Sequence, residues 1–271
     1  MTASELNAVR CSVKEKNPLI HSITNPISIN QCANAVLALG AKAMMAEHPK
    51  EVAAITKSAD ALMLNLGNIT DVRKKSMLIS AKTATKNGIP FIIDAVGVSC
   101  LSVRRKYALK LIKKSKPTVI KGNYSEINAL YNPKYSSRGI DADSSLSKDF
   151  VVKSAKKLAL RQQTVILATG KTDIVTDGKR VIYIKNGTKK LASVTGTGCM
   201  LGALCAVFLS VADALLASVS AASLLGICGE LSDSANGSGS FLTNLLDNIS
   251  QINDDDFEKF LKLEEEKNDK L

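Results

Sequence analysis

Four short apolar runs, at residues 61–65, 90–94, 118–121 and 164–168, alternate with polar stretches of helical spacing. Each run has the length of a strand, and each stretch between them is long enough for a crossover helix. The pattern therefore predicts a parallel sheet with helices on both faces. The helical stretches lie at 71–87, which Gly88 closes as a left-handed cap would, at 104–114 and at 148–160. Residues 174–184 read differently. Two β-rich runs flank Asp177 and Gly178, a hairpin turn signal, so an antiparallel edge is appended. After Gly198 the chain is almost all helical. No composition break, internal repeat or flexible linker divides the 271 residues. A single α/β domain over 1–271 is expected, with a polar, Ser-rich loop at 132–147 and an acidic tail at 254–271.

The net charge is +11, unevenly spread. Residues 71–121 carry thirteen basic side chains against Asp71 and Asp94, whereas 254–271 carry eight acidic against four basic. A basic middle can attract an anionic partner. The simpler reading is solvated helix faces such as Arg73/Lys74/Lys75 and Arg104/Arg105/Lys106, with some charge left to steer a phosphate-bearing ligand. Aromatic residues make 4% of the chain and Trp is absent, which argues against a stacking platform for nucleic acid. The first sixteen residues hold no apolar run, so no signal peptide is read there. The most apolar region, 199–229, is interrupted by Asp213 and rich in Ala, Gly and Ser. It predicts two buried core helices rather than a membrane hairpin.

Six cysteines without a CxxC spacing, in a chain long enough to build its own core, indicate a reducing cytoplasm. The two histidines, His21 and His48, belong to no Cys/His cluster, which argues against a zinc site made by protein alone. No G-x-S-x-G elbow is present, so a hydrolase triad is not expected.

Ligands of open parallel sheets sit outside the carboxyl ends of the strands. That directs attention to Asn65, Asp94, Lys121 and Ala168-Thr169-Gly170. The strongest local feature is Thr195-Gly196-Thr197-Gly198-Cys199, leading into an apolar helix. Glycines at a helix start let backbone N–H groups turn toward an anion, and the helix end adds partial positive charge. Tight packing also selects glycine there. Gly170-Lys171-Thr172 is not a Walker A loop, because Val165 stands where its first glycine belongs, and Leu201 breaks a GxGxxG reading of the later glycines. Asn123 and Glu126 share a helical face beside Lys121. They suit Mg²⁺ held through waters, but equally an N-cap with its capping-box glutamate, and alone the cap is the better reading. Asp94, at a strand end, could serve metal or substrate, or cap the next helix.

Taken together, these segments resemble the hydroxyethylthiazole kinases, thiazole-salvage enzymes of the ribokinase-like superfamily. The resemblance is carried by Pro18-Leu-Ile-His-Ser-Ile-Thr-Asn25, Asn34-Ala-Val-Leu-Ala-Leu-Gly-Ala41 with Met45-Ala46, Leu64-Asn-Leu-Gly67, Ile93-Asp-Ala-Val-Gly97, Ile120-Lys-Gly-Asn123 with Glu126, Ala168-Thr-Gly170, and Val194-Thr-Gly-Thr-Gly-Cys-Met200, in family order. Related sugar and pyrimidine kinases usually carry Asp where this chain has Cys199. The resemblance implies a three-layer α/β/α sandwich with a mainly parallel sheet, a helical C-terminal region and a homotrimer with pockets near subunit interfaces. Met45 and Gly196 match positions that contact the thiazole, and Asn25 lines the same pocket. Lys121 and Thr169 match the ATP contacts, while Asp94 and Glu126 match acidic positions near Mg²⁺ and the phosphates. Thr195, Gly196, Thr197, Gly198 and Cys199 match the anion hole. Lys121 replaces a more usual Arg and loses its bidentate fork. Ala95 replaces a usual Pro and loosens its loop.

The implied reaction moves the γ-phosphoryl group of ATP, with Mg²⁺, to the primary hydroxyl of 5-(2-hydroxyethyl)-4-methylthiazole. Phosphoryl transfer relies on positioning and charge neutralisation, so a weak base suffices. Cys199 either assists at the hydroxyl, from a helix start that favours thiolates, or only packs beneath it. The competing expectations are a hydroxymethylpyrimidine-type kinase, a nucleotide-dependent lyase on the same scaffold, and a non-catalytic nucleic-acid binder. Cys199 and the Ile-Thr-Asn segment count against the first, Cys199 in place of Asp against the second, and the scarcity of aromatics with the lack of a reader motif against the third. A cytoplasmic enzyme without nucleic-acid or membrane partners is expected.

Overall fold

In the computed structural model, residues 1–137, 147–234 and 236–266 are described. Most of the Ser-rich loop expected at 132–147, and residues 267–271 of the expected tail, lie outside them. The first half runs α1 (Ala3–Lys16), β1 (Leu19–Ile23), α2 (Ile29–Ala38), β2 (Lys42–Met44), α3 (Val52–Ser58), β3 (Ala61–Asn65), α4 (Asp71–Asn87), β4 (Phe91–Asp94), α5 (Ser102–Ser115), β5 (Val119–Asn123) and α6 (Tyr124–Tyr131). The second half continues with α7 (Lys148–Gln162), β6 (Val165–Thr169), β7 (Asp173–Thr176), β8 (Val181–Ile184), a 3-10 turn (Lys189–Ser193), α8 (Thr197–Leu209), α9 (Ala214–Leu231), α10 (Ser238–Gln251), α11 (Asp254–Phe260) and β9 (Leu263–Glu265).

The helix ends follow local chemistry. Thr70 accepts from the Arg73 amide at the start of α4, and Gly88 ends that helix at φ 67°. Ser147 caps α7 by accepting from the Phe150 amide, and Asp213 caps α9 by accepting from the Leu215 and Leu216 amides. One nine-stranded sheet results, ordered β2-β1-β3-β4-β5-β6-β7-β8-β9. Its first six strands are parallel, and β7, β8 and β9 are antiparallel. Side chains alternate between two cores. Met63, Ile92, Val119 and Leu167 face α1, α2, α8, α9, α10 and α11, while Leu64, Ile93, Ile120 and Ile166 face the helices on the other side. The apolar region is two core helices, α8 and α9; the α9 window long enough to span a membrane is 78% buried inside the protein.

Three strands are absent from the sequence reading, each for a physical reason. The β1 run contains His21 and Ser22, both buried. His21 Nδ1 accepts from the Thr56 hydroxyl and Nε2 donates to the Ala46 carbonyl, each at 2.9 Å, so burial is tolerated and holds the imidazole pKa below its ordinary value. β2 is a three-residue edge strand with half-exposed side chains, too short to show a period. β9 lies inside the acidic stretch expected to be a tail, where Arg180 pairs with Glu265, and Lys185 with Glu264, across the strands. Phe257 of α11 is fully buried, so residues 254–265 are part of the packed body. The hairpin also differs in detail. Its connection is four residues, in which Asp177 Oδ1 accepts from the Lys179 and Arg180 amides, and Gly178 adopts φ 95°.

Candidate active site

At the carboxyl end of the sheet, parallel register aligns Asn65 with Asp94 and Asp94 with Lys121. Neighbouring residues in register share a face, so the three side chains form a lateral row beneath α8. Lys121 Nζ donates to both Asp94 carboxylate oxygens at 3.0 Å and to the Gly198 carbonyl at 2.8 Å. The ammonium is thus shared between the Asp94 carboxylate and the Gly198 carbonyl. Asn65 Nδ2 donates to Asp94 Oδ2 at 2.9 Å and to Cys199 Sγ at 3.2 Å. Its Oδ1 accepts from Asn25 Nδ2 at 3.2 Å and from the Gly67 amide at 2.7 Å. Asn25 Nδ2 also reaches Cys199 Sγ at 3.4 Å. Asn65 is thus the hub joining the segment after β1 with β3, β4 and α8, a part its place at a strand end does not reveal.

Electrostatics follow from burial. Asp94 is fully buried, which pushes its carboxyl up, while Lys121 and Asn65 pull it back. Burial also works against the Lys121 ammonium. The Asp94 carboxylate, with Cys199 and Glu126, more than offsets it and holds Lys121 above its ordinary value.

The helix start above this row is built by Gly196, which sits at φ 90° as the N-cap of α8. A Cβ there would lie 3.2 Å from Ser28 Cβ, so both backbone and space require glycine. The Thr197 hydroxyl donates to the Leu191 carbonyl at 2.7 Å and fixes the approach to the helix. The structure therefore brings Asn25, Asp94, Lys121, Gly198 and Cys199 into one connected group. Met45 follows edge strand β2, is half-buried and packs on the α8 side of the core. Thr169 ends β6 in register with Asn123, its hydroxyl 3.5 Å from the Gly122 carbonyl.

Glu126 takes the capping arrangement. Asn123 Oδ1 accepts from the Glu126 amide at 2.9 Å, and Glu126 Oε2 accepts from the Asn123 amide at 2.7 Å. Its other oxygen accepts from the Gly97 amide at 2.7 Å. Burial pushes its carboxyl up to about 7, with Asp94 adding to the rise and the two amides opposing it. Asp94 caps no helix; it pairs with Lys121. Among the described residues no three His, Cys, Asp or Glu side chains cluster as a metal cage. Two separate hard carboxylates still suit Mg²⁺, which keeps several waters and binds protein through one or two carboxylates plus substrate phosphates.

The expectation of solvated basic faces fails at its arginines. Arg73 is buried and forks onto Glu47, with Nε to Oε2 at 2.6 Å, and its Nη1 donates to the Asn68 carbonyl at 3.0 Å. Arg105 donates to the Val98, Ser99 and Pro133 carbonyls. Lys75 and Lys106 are exposed as expected.

The profile of the Hydroxyethylthiazole kinase family matches residues 11–255. A protein named hydroxyethylthiazole kinase 2, from Clostridium botulinum (strain Hall), is 50% identical over 252 residues, which are 91% of this chain and 95% of that protein. The solved structure of a hydroxyethylthiazole kinase protein from Pyrococcus horikoshii OT3 superposes with a TM-score of 0.90 at 32% identity, covering 97% of this chain and 99% of that one. The pyridoxal kinase of Staphylococcus aureus, solved with pyridoxal, shares the ribokinase-like fold at a TM-score of 0.62 and 11% identity, over 92% of this chain and 98% of its own. From its segment order, its helix start at Cys199 and this similarity along nearly its whole length, the chain belongs to the hydroxyethylthiazole kinase family.

Proposed function

We propose that this protein transfers the γ-phosphoryl group of ATP to the primary hydroxyl of 5-(2-hydroxyethyl)-4-methylthiazole, yielding the thiazole phosphate used to make thiamine. One observation carries the reading. The glycine-built start of α8 ends in Cys199, whose sulfur is held by Asn25 and Asn65 directly over the Asp94–Lys121 pair. In the transfer, the acceptor oxygen bonds to the γ-phosphorus, the bond to the β-phosphate oxygen breaks, and ADP leaves. Charge spreads over the equatorial oxygens, where fixed backbone donors and cations act best.

The amides of Gly196, Thr197, Gly198 and Cys199 face that charge. Asn25, Met45 and Gly196 border the thiazole, and Lys121 and Thr169 border the nucleotide. Lys121 already holds Asp94 and the Gly198 carbonyl, so a nucleotide contact would share its ammonium with these acceptors. Asp94 and Glu126 would hold Mg²⁺, partly through water, and the ion would supply charge neutralisation at the phosphates. Cys199 lies at the acceptor hydroxyl, either taking its proton or packing beneath it, and Cys199→Ser separates the two. A large fall in kcat with substrate binding intact assigns the proton to the thiol; a small one assigns packing.

The same reading makes the protein a cytoplasmic homotrimer acting without nucleic acid or membrane. Exposed Ile27 (63%), Leu37 (55%) and Met44 (40%), beside the edge strand β2, support an apolar contact between copies on the thiazole side. Light scattering gives the assembly directly. The function is tested by ADP release from Mg·ATP with the thiazole alcohol, beside hydroxymethylpyrimidine, pyridoxal and no acceptor. Selective turnover of the thiazole is expected. Preference for another alcohol overturns the substrate, and absence of acceptor-dependent ADP overturns the kinase.

A further inference from the structure

Arg104 is a half-buried cation with no carboxylate to match it among the described residues. Its Nη1 donates to the Val96 carbonyl at 3.1 Å, and its Nε is buried without a hydrogen-bond partner. Glu126, whose charge acts on Arg104, has both oxygens committed to the Gly97 and Asn123 amides. Burial lowers the Arg104 pKa, against the opposing pull of Cys100 and Glu126. The residue also sits in the first turn of α5, a helix whose N-cap Leu101 makes no side-chain cap and whose first turn holds no acid. A cation there works against the helix dipole, so local helix stability does not explain it.

Its position is tightly set. Gly97 adopts φ 76°, and a Cβ on it would come within 2.1 Å of Arg104 Nη1. The guanidinium therefore lies against the loop that follows β4, at the glycine whose amide holds Glu126. That loop leaves the carboxyl end of the sheet directly after Asp94. A half-exposed planar fork without a carboxylate partner among the described residues, beside a site whose lysine is held by Asp94 and the Gly198 carbonyl, is matched by a polyanion.

We propose that Arg104 is a binding residue for the phosphate chain of the nucleotide, taking the role of forked cation that Lys121, an ammonium held by Asp94 and Gly198, does not fill. The inference rests on the kinase reading above and extends it to a residue outside the resemblance. Binding adds charge-assisted hydrogen bonds from the half-exposed guanidinium to phosphate oxygens.

The test uses the full chain with Arg104→Gln and Arg104→Lys. Calorimetric titration with ATP, ADP and adenosine is paired with KM for the thiazole alcohol and with the melting temperature. Arg104→Gln is expected to weaken ATP and ADP by about tenfold to a hundredfold, the range of charge-assisted hydrogen bonds, with adenosine and the thiazole KM unchanged. Arg104→Lys restores part of the loss, because charge returns without the fork. Unchanged ATP affinity overturns the proposal. So does an equal loss for adenosine, or a loss seen only as a lower melting temperature, since each assigns Arg104 to holding the loop. Wild-type protein that binds ATP but turns over no thiazole fails the kinase reading alone, and the nucleotide titrations still decide Arg104.

Discussion

Replacing Lys121 with Met tests the centre of the site. Lys121 is 5% exposed and Asp94 is 0% exposed, so the substitution leaves a carboxylate buried without its cation. Removing one partner of a buried ion pair costs about 3–5 kcal/mol. Domains of this size lose about 2–4 °C of melting temperature per kcal/mol, so a fall of about 10 °C is expected by calorimetry. The loss depends on pH in a defined direction. Burial already raises the Asp94 carboxyl, and without Lys121 only Asn65 opposes it, so its folded pKa moves further above the unfolded one. A raised carboxyl costs stability that grows as pH rises from the unfolded to the folded pKa, and acidification toward the unfolded value removes that cost. The gap between variant and wild type therefore narrows as the pH is lowered toward the ordinary carboxylate range. The double substitution Lys121→Met with Asp94→Asn should lose less than the sum of the singles, because no unpaired charge stays buried. A variant melting within about 2 °C of wild type, as for an exposed pair, would refute the reasoning.

Glu126→Gln should flatten one component of the stability profile. The native carboxyl is raised to about 7, so wild-type stability from this group falls as pH rises from about 4.5 through 7; denaturant titrations across that window should show a shallower fall in the variant. Gly196→Ala forces a side chain to φ 90° against Ser28, costing about 1–2 kcal/mol and raising the thiazole KM, both measurable on purified protein. Asn65→Leu leaves Asp94 Oδ2, the Gly67 amide and Cys199 Sγ each short of a partner, so a loss of about 3 kcal/mol and a changed iodoacetamide alkylation rate at Cys199 are expected.

The central strands and their crossover helices are legible because apolar runs and helical periods are local properties. So is the start of α8, since glycines before an apolar helix announce themselves. Asn65, Asp94 and Lys121 could be marked as strand ends, but their mutual contacts depend on register between distant segments, which no local pattern encodes. Glu126 shows the opposite limit. Its spacing from Asn123 fits a cap and a metal ligand alike, and the cap geometry emerges only with both oxygens on amides. β9 was hidden because its inter-strand ion pairs bring together residues about eighty positions apart. Arg104 was hidden in a basic run whose members look equivalent until burial separates Arg104 and Arg105 from Lys106.

The alignment of Asn65, Asp94 and Lys121 across three strands also bears on how such a chain can change over generations. Because the three meet only through strand register, a residue inserted within β3, β4 or β5 would carry its member of the row to the opposite face. Insertions in the turns entering those strands leave the row intact. Length variation among descendants of this sequence should therefore collect at the entry side of the sheet, and the distances between site residues within a strand should stay fixed while the chain around them grows or shrinks.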